Sequence, residues 1–470
     1  MIERGAPYLR RYLDSLGRVG QGLLVLTAVE ITALVILRVA APHSLLELCI
    51  QVALAVTFAT LAIVDLKTAL AVAVLELIVC GASGRWTELP GGVTGRMLLD
   101  ATLATVALVR LVPAWRVRGW VVLGRYGLHA VAVALVIPVI WMPLGALNGY
   151  PVGNVIADGD GFLFFGFALL LAAAALFGDL SWLRRWILVA CAINAVLSTT
   201  LFAIGASRLV SEFHFRALLL ETFDFGGQVA FFTTGQFRLH LASGLFLQIG
   251  VALACWELIR APRRWWPWLL LAVLVAALLG SFGRGYFLGA FIAAVIVLFL
   301  GRRSSDRPVT HTRARVLVLA AVIAIAAVGF SLLQAGAGAD ANLVKLYQAQ
   351  VLLGHVIERP LLGWGFGAVA PDYLIGDHFS YEITYLDRAF KLGLVGLVIF
   401  LSLPFRLALD SIRVLLDRLP APPGLPAGEA SVPLAILVSV LVVSATNPYL
   451  AGSVGIGAVI LCIAWLDPFD

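Results

Sequence analysis

WWPWLLLAVLVAALLGSFGRGYFLGAFIAAVIVLFLGRR (Trp265–Arg303) decides the fold. Two apolar runs, 266–281 and 286–300, are separated only by a turn that carries one charge, Arg284. Neither run alternates with period two, and neither offers a polar face to water, so both read as helices in an apolar surround. Similar runs recur along the chain, at about 21–41, 44–64, 68–83, 97–113, 127–147, 161–178, 186–206, 239–259, 315–333, 392–409, 431–447 and 450–466. The expected fold class is an all-α polytopic membrane protein of about fourteen (12–14) transmembrane helices. Composition agrees: 61% of the 470 residues are hydrophobic and 13% charged, with a mean hydropathy of +0.99. A soluble domain has too little interior to hide that much apolar side chain.

Basic residues set the expected topology. With the N-terminus inside, Lys67, Arg116, Arg118, Arg125, Arg184, Arg185, Arg260, Arg263, Arg264, Arg302, Arg303, Arg406, Arg413 and Arg418 all fall on one side. That is the cytoplasmic side by the positive-inside rule, and it puts both termini there. The first apolar run is too long for a signal-peptide core and reads as a retained helix. The net charge of +6 is absorbed by these connectors. No basic stripe interleaved with aromatics suggests nucleic acid. Cys49, Cys80, Cys191, Cys255 and Cys462 sit inside apolar runs without CxxC spacing and read as small buried hydrophobes. HExxH is absent and the histidines do not gather with cysteines, so no metal or other cofactor is expected. The segment 406–431 reads as a Pro-rich cytoplasmic linker.

The opposite, outer face then holds 84–96, the Gly/Asp-rich 148–160, 207–238 and 334–391. Arg208, Arg216, Arg238, Arg284, Arg359 and Arg388 lie on this face, where positive charge is expected to be scarce. For each, a surface salt bridge or a side chain snorkelling to lipid phosphate competes with a role in binding a polyanion. Arg284, flanked by Gly283 and Gly285, leans toward the second, because its fork suits phosphate and the glycines admit close backbone approach. The stretch VIERPLLGWGFGAVAPDYLIGDHFSYEITYLDRAFKLGLVG (Val356–Gly396) concentrates polar residues in an otherwise apolar chain. If helical, His378, Glu382 and Tyr385 share one face there. Either Glu382 or His378 could serve as a general base. The segment divides the chain into 1–333 (helices 1–11, with outer loop 207–238), 334–391 (large outer loop carrying the site) and 392–470 (last helices).

Two motifs carry a resemblance. ERPLLGWGFG (Glu358–Gly367) followed by KLGLVGLVIF (Lys391–Phe400) resembles the signature loop of the O-antigen ligase and polysaccharide polymerase family. SFGRGYFLGAFIA (Ser281–Ala293) is similar to that family's Arg-containing turn, and TNPYLAGSVG (Thr446–Gly455) to its last polar turn. The resemblance covers about the C-terminal half. It implies a GT-C-like, metal-independent, inverting glycosyltransferase of the bacterial inner membrane, working on the periplasmic face. The donor would be an undecaprenyl-diphosphate-linked glycan and the acceptor a glycan or lipid-linked glycan. Membrane lipid and a chain-length regulator are the further partners it admits. Catalysis would fall to Glu382 or His378 with Arg284. The diphosphate would be held by Arg284 and Arg216, joined by Arg208, Arg238, Arg359 or Arg388, with Tyr385 and Trp364 touching substrate. Ligases carry a His-Asn pair where this chain has Glu382 and Ile383, which favours a polymerase of exopolysaccharide, capsule or O-antigen repeats. A ligase handing finished glycan to lipid A core or protein is the nearer alternative. A non-enzymatic flippase or transporter, using Glu30, Glu76 or Asp100 in the membrane, is the other.

Overall fold

The computed structural model describes residues 17–40, 44–81, 88–89, 93–176, 180–222, 227–231, 237–301, 338–373, 381–422 and 425–466. Helices dominate them. Seven helical segments are long and apolar enough to cross a membrane: Val19–Ala40, Leu45–Val64, Gly95–Leu147, Val152–Ala175, Ser181–Ala206, Thr384–Leu415 and Ala427–Ser444. Shorter apolar helices are Trp266–Ser281, Arg284–Leu300 and Ser453–Leu466. The chain is a helical, multi-pass membrane protein. In lipid the helix alone satisfies every backbone group within its own segment, which is why apolar sequence of this length takes that form.

In chain order the helices are α1 (Gly17–Ala40), α2 (Leu45–Val64), α3 (Leu66–Cys80), α4 (Gly95–Arg118), α5 (Gly124–Leu147), α6 (Val152–Leu163), α7 (Ala168–Ala175), α8 (Ser181–Ala206) and α9 (Glu212–Arg216). They continue with α10 (Gly244–Arg260), α11 (Trp266–Ser281), α12 (Arg284–Leu300), α13 (Gly338–Glu358), α14 (Thr384–Leu415), α15 (Ser431–Ser444), α16 (Ser453–Leu461) and α17 (Ile463–Leu466). Two antiparallel ribbons interrupt them: β1 (Glu88–Leu89) with β2 (Val93–Thr94), and β3 (Gly227–Phe231) with β4 (Phe237–Leu241). The second ribbon pairs Gln228 with His240 and Ala230 with Arg238.

The core centres on α10, whose residues are buried almost without break from Gly244 to Ile259. It packs against α8, α11, α12 and α15. Close approach depends on small residues. A Cβ on Gly250 would meet Leu274 and Cys191, and one on Gly289 would meet Val443 and Ser439. Two buried polar contacts cross the bundle: Asn194 donates to the Ser243 carbonyl (2.9 Å) and Ser439 to Gln248 Oε1 (2.7 Å).

Three expectations shift. The outer loop 148–160 is mostly helix α6, which runs through a 3-10 turn (Phe164–Phe167) into α7. The run expected at 239–259 begins as strand β4 and turns helical only at Gly244. Glu382 precedes α14, which starts at Thr384, so no helical stripe carries Glu382 with Tyr385. The run at 315–333 lies outside the described residues.

Candidate active site

The turn between α11 and α12 is the foundation. Phe282 takes a left-handed conformation (φ 47°), Gly283 is extended, and Arg284 is the first residue of α12. Ser281 fixes the turn: its hydroxyl donates to the Leu278 carbonyl (2.6 Å) and accepts from Gly283 N–H (3.2 Å). Arg284 is exposed and stands at a helix N-terminus, where orphan N–H groups add positive potential. Arg238 on β4 reaches the same turn, its Nε directed at the Ser281 carbonyl (3.4 Å). Burial lowers the Arg238 pKa, Tyr286 and Tyr449 then raise it, and Arg284 and Glu382 are both within electrostatic reach. One guanidinium is therefore within electrostatic reach of a second guanidinium and of a carboxylate from a distant part of the chain.

Glu382 is positioned through its backbone. Its N–H and that of Ile383 donate to Gln348 Oε1 (2.9 and 3.2 Å), and Gln348 is buried on α13. Thr384, also buried, donates to the Asn447 carbonyl (2.8 Å). The Glu382 carboxylate is left 51% exposed and bonded to Lys345 Nζ at 2.9 Å. Lys345 also donates to the Thr446 carbonyl (2.6 Å). A half-open carboxylate paired with one ammonium and within electrostatic reach of Arg238 is an arrangement that can meet an anionic ligand and accept a proton.

An aromatic floor supports this cluster. The His240 ring stacks on Tyr286 with centroids 4.7 Å apart and planes 9° from parallel. The Tyr286 hydroxyl donates to the Leu241 carbonyl (2.8 Å) and meets the Tyr449 hydroxyl, which lies 3.4 Å from His240 Nε2. Burial first, then the charge on Arg238, pushes the His240 imidazole down to about 3, so it is neutral here at ordinary pH.

The sequence-derived candidates thus separate. Arg284 and Glu382 both lie within electrostatic reach of Arg238. Arg388 does not join them: it is buried, with Asp387 at 3.4 Å and Asp158 at 3.8 Å. Lys391 completes that group, with Asp158 at 2.8 Å and Asp387 at 3.3 Å. Arg388 has no exposed surface to offer a diphosphate. Arg359 lies over the Trp364 ring (4.0 Å) and donates to Asn148 Oδ1 (3.3 Å), so these two candidates occupy each other at the Asn148 turn. The Tyr385 hydroxyl is spent on the Leu441 carbonyl (2.5 Å). Arg208 and Arg216 are exposed on the segment before β3, Arg208 with a left-handed backbone (φ 56°). His378 lies outside the described residues. Lys345, His240, Tyr286 and Tyr449 were not legible as site residues. No motif surrounds Lys345, and Tyr449 stood only inside the quoted TNPYLAGSVG.

The membrane carboxylates are engaged elsewhere. Glu76 forms a two-pronged buried pair with Arg96 (2.8 and 3.0 Å), and Arg96 also donates to Ser453 (2.8 Å). Glu30 accepts from Thr57 (3.0 Å). No protein-family model matches the chain, and no curated protein matches it in sequence.

Proposed function

We propose that this protein is a membrane glycosyltransferase of the O-antigen ligase and polysaccharide polymerase type, polymerising lipid-linked repeat units. The observation that carries the reading is that Glu382, paired with Lys345 at 2.9 Å, and Arg284 both lie within electrostatic reach of Arg238, so four remote parts of the chain converge on one region. An undecaprenyl diphosphate needs several positive charges near a bilayer, and two guanidinium forks with an ammonium supply them without a metal. The reaction is a displacement at the anomeric carbon. The bond to the diphosphate oxygen breaks, the acceptor hydroxyl oxygen bonds to the carbon from the opposite side, and its proton passes to Glu382. Arg284, Arg238 and Lys345 stabilise the negative charge on the departing diphosphate. Lys345 has a second task. While paired with Glu382 it holds the carboxylate in place; when it turns to the diphosphate, it leaves that carboxylate oxygen open to the acceptor hydroxyl.

On this reading the enzyme lies in a bacterial inner membrane with about fourteen spans, cytoplasmic termini and a periplasmic site. The pairing of Glu76 with Arg96 weighs against a transporter, which needs carboxylates open to a pathway. The test is turnover of an undecaprenyl-diphosphate oligosaccharide by purified protein in proteoliposomes. Lengthening of the lipid-linked glycan supports a polymerase. Transfer only to lipid A core or protein marks a ligase. Movement across the bilayer without new bonds overturns the enzymatic reading.

A further inference from the structure

At the other end of the helices, where α8 and α15 begin and α10 and α17 end, lies a cavity of about 300 Å³. Ser181, Arg184, Arg185, Glu257, Arg260 and Glu429 supply its polar lining. Trp256 and Trp465 form aromatic walls, and Leu188 and Leu253 an apolar side. Arg184 meets Glu429 at 3.5 Å and Arg260 meets Glu257 at 3.7 Å. Trp465 Nε1 donates to Glu429 Oε1 (3.3 Å). Arg185, Arg264 and Glu429 all lie within electrostatic reach of Glu257. Three arginines and two glutamates line this small space, so the lining is more basic than acidic, and Arg264 lies nearby within electrostatic reach of Glu257.

The depth of the cavity indicates what fills it. Trp182 at the start of α8, and Trp265, Trp266 and Trp268 around the start of α11, mark the same end of the bundle. Tryptophan gathers at the level of lipid headgroups, one edge in hydrocarbon and the other in water. Basic pockets between helices on the cytoplasmic side suit phospholipid headgroups. The volume is at the lower bound of small-ligand sites, ~300–1,000 Å³, enough for a headgroup while acyl chains run along the apolar side.

We propose that this cavity seats the phosphate of an anionic glycerophospholipid, with the lining arginines Arg184, Arg185 and Arg260 toward the phosphate oxygens and Glu257 and Glu429 orienting two of the guanidinium forks. The proposal is independent of the reading of the opposite end. Its test uses the full chain in detergent, with phosphatidylglycerol, phosphatidylcholine or inorganic phosphate added, read by thermal melting and native mass spectrometry. Phosphatidylglycerol is expected to raise the melting temperature and remain bound, at least tenfold more tightly than phosphatidylcholine. The variant R185Q/R264Q keeps both ion pairs and should lose that preference about tenfold. Equal response to both lipids overturns the proposal, as does an unchanged preference in the folded variant. Protection by inorganic phosphate with none by lipid overturns the lipid as the source. The wild-type comparison decides the matter even if the variant fails to fold.

Discussion

Glu382 and Asp387 stand on either side of the start of α14, and each faces cations. Asp387 is closed in with Asp158, Arg388 and Lys391, all with side chains at most 5% exposed. Glu382 is half open, and its partner Lys345 is 26% exposed. The inner group ties four segments together. Asp158 reaches it from α6 and accepts from the Gly367 N–H (2.8 Å), and Arg388 points to the Ala451 carbonyl (3.4 Å). The outer group also links remote segments, Lys345 on α13 reaching both Glu382 and the Thr446 carbonyl, but it leaves the Glu382 carboxylate half open. Charged residues close in sequence thus do opposite work, and burial with mutual neutralisation separates the strut from the site.

The comparison breaks most visibly at Lys391. Lys391→Met leaves two carboxylates with one cation in the interior, at a cost of about 3–5 kcal/mol. The expected result is loss of monodisperse protein after extraction, read by fluorescence-detected size exclusion; a normal profile would dissolve the strut. Glu382→Gln and Arg284→Ala should fold normally and melt as wild type. Their turnover of the lipid-linked donor should fall by ~10²–10³-fold. Wild-type rates from both would remove the site.

A smaller effect concerns His240. Its folded pKa, about 3, lies below the ordinary histidine value of 6.5. As pH falls below 6.5 the unfolded chain takes up a proton that the folded chain refuses, so stability drops progressively toward pH 3. Melting curves over that window should fall more steeply for wild type than for His240→Gln. The smallest effect belongs to Arg359→Ala. It loses a surface cation–π contact of ~0.5–1 kcal/mol, and turnover should stay within about twofold. A loss like that of Arg284→Ala would return Arg359 to the site.

The helices were legible because hydrocarbon demands long apolar segments and the chain has little else. The α11–α12 turn was legible because one arginine interrupts two apolar runs. Arg388 misled for the converse reason. Its partner Asp158 comes from a stretch whose Gly and Asp residues read as loop, yet α6 buries that carboxylate where only a salt bridge makes it tolerable. Lys345 stayed hidden because its meaning is its distance to Glu382 and Thr446, and no local pattern encodes a contact between remote segments.

The glycine turn 363–367 joins the bundle through main chain as well as through the buried Phe366, whose ring lies 5.3 Å from that of Phe162. Trp364 N–H donates to the Phe390 carbonyl (3.0 Å), Gly365 N–H to that of Lys391 (2.9 Å) and Phe366 N–H to that of Trp141 (3.1 Å). Gly363, Gly365 and Gly367 all have positive φ, and a Cβ on Gly145 or Gly365 would strike the facing backbone. A seam sewn with peptide groups holds by direction and distance in addition to greasiness. A solubilising agent that competes for apolar surface has little purchase on those peptide links, so the turn can stay fastened to the helices while the lipid around them is exchanged.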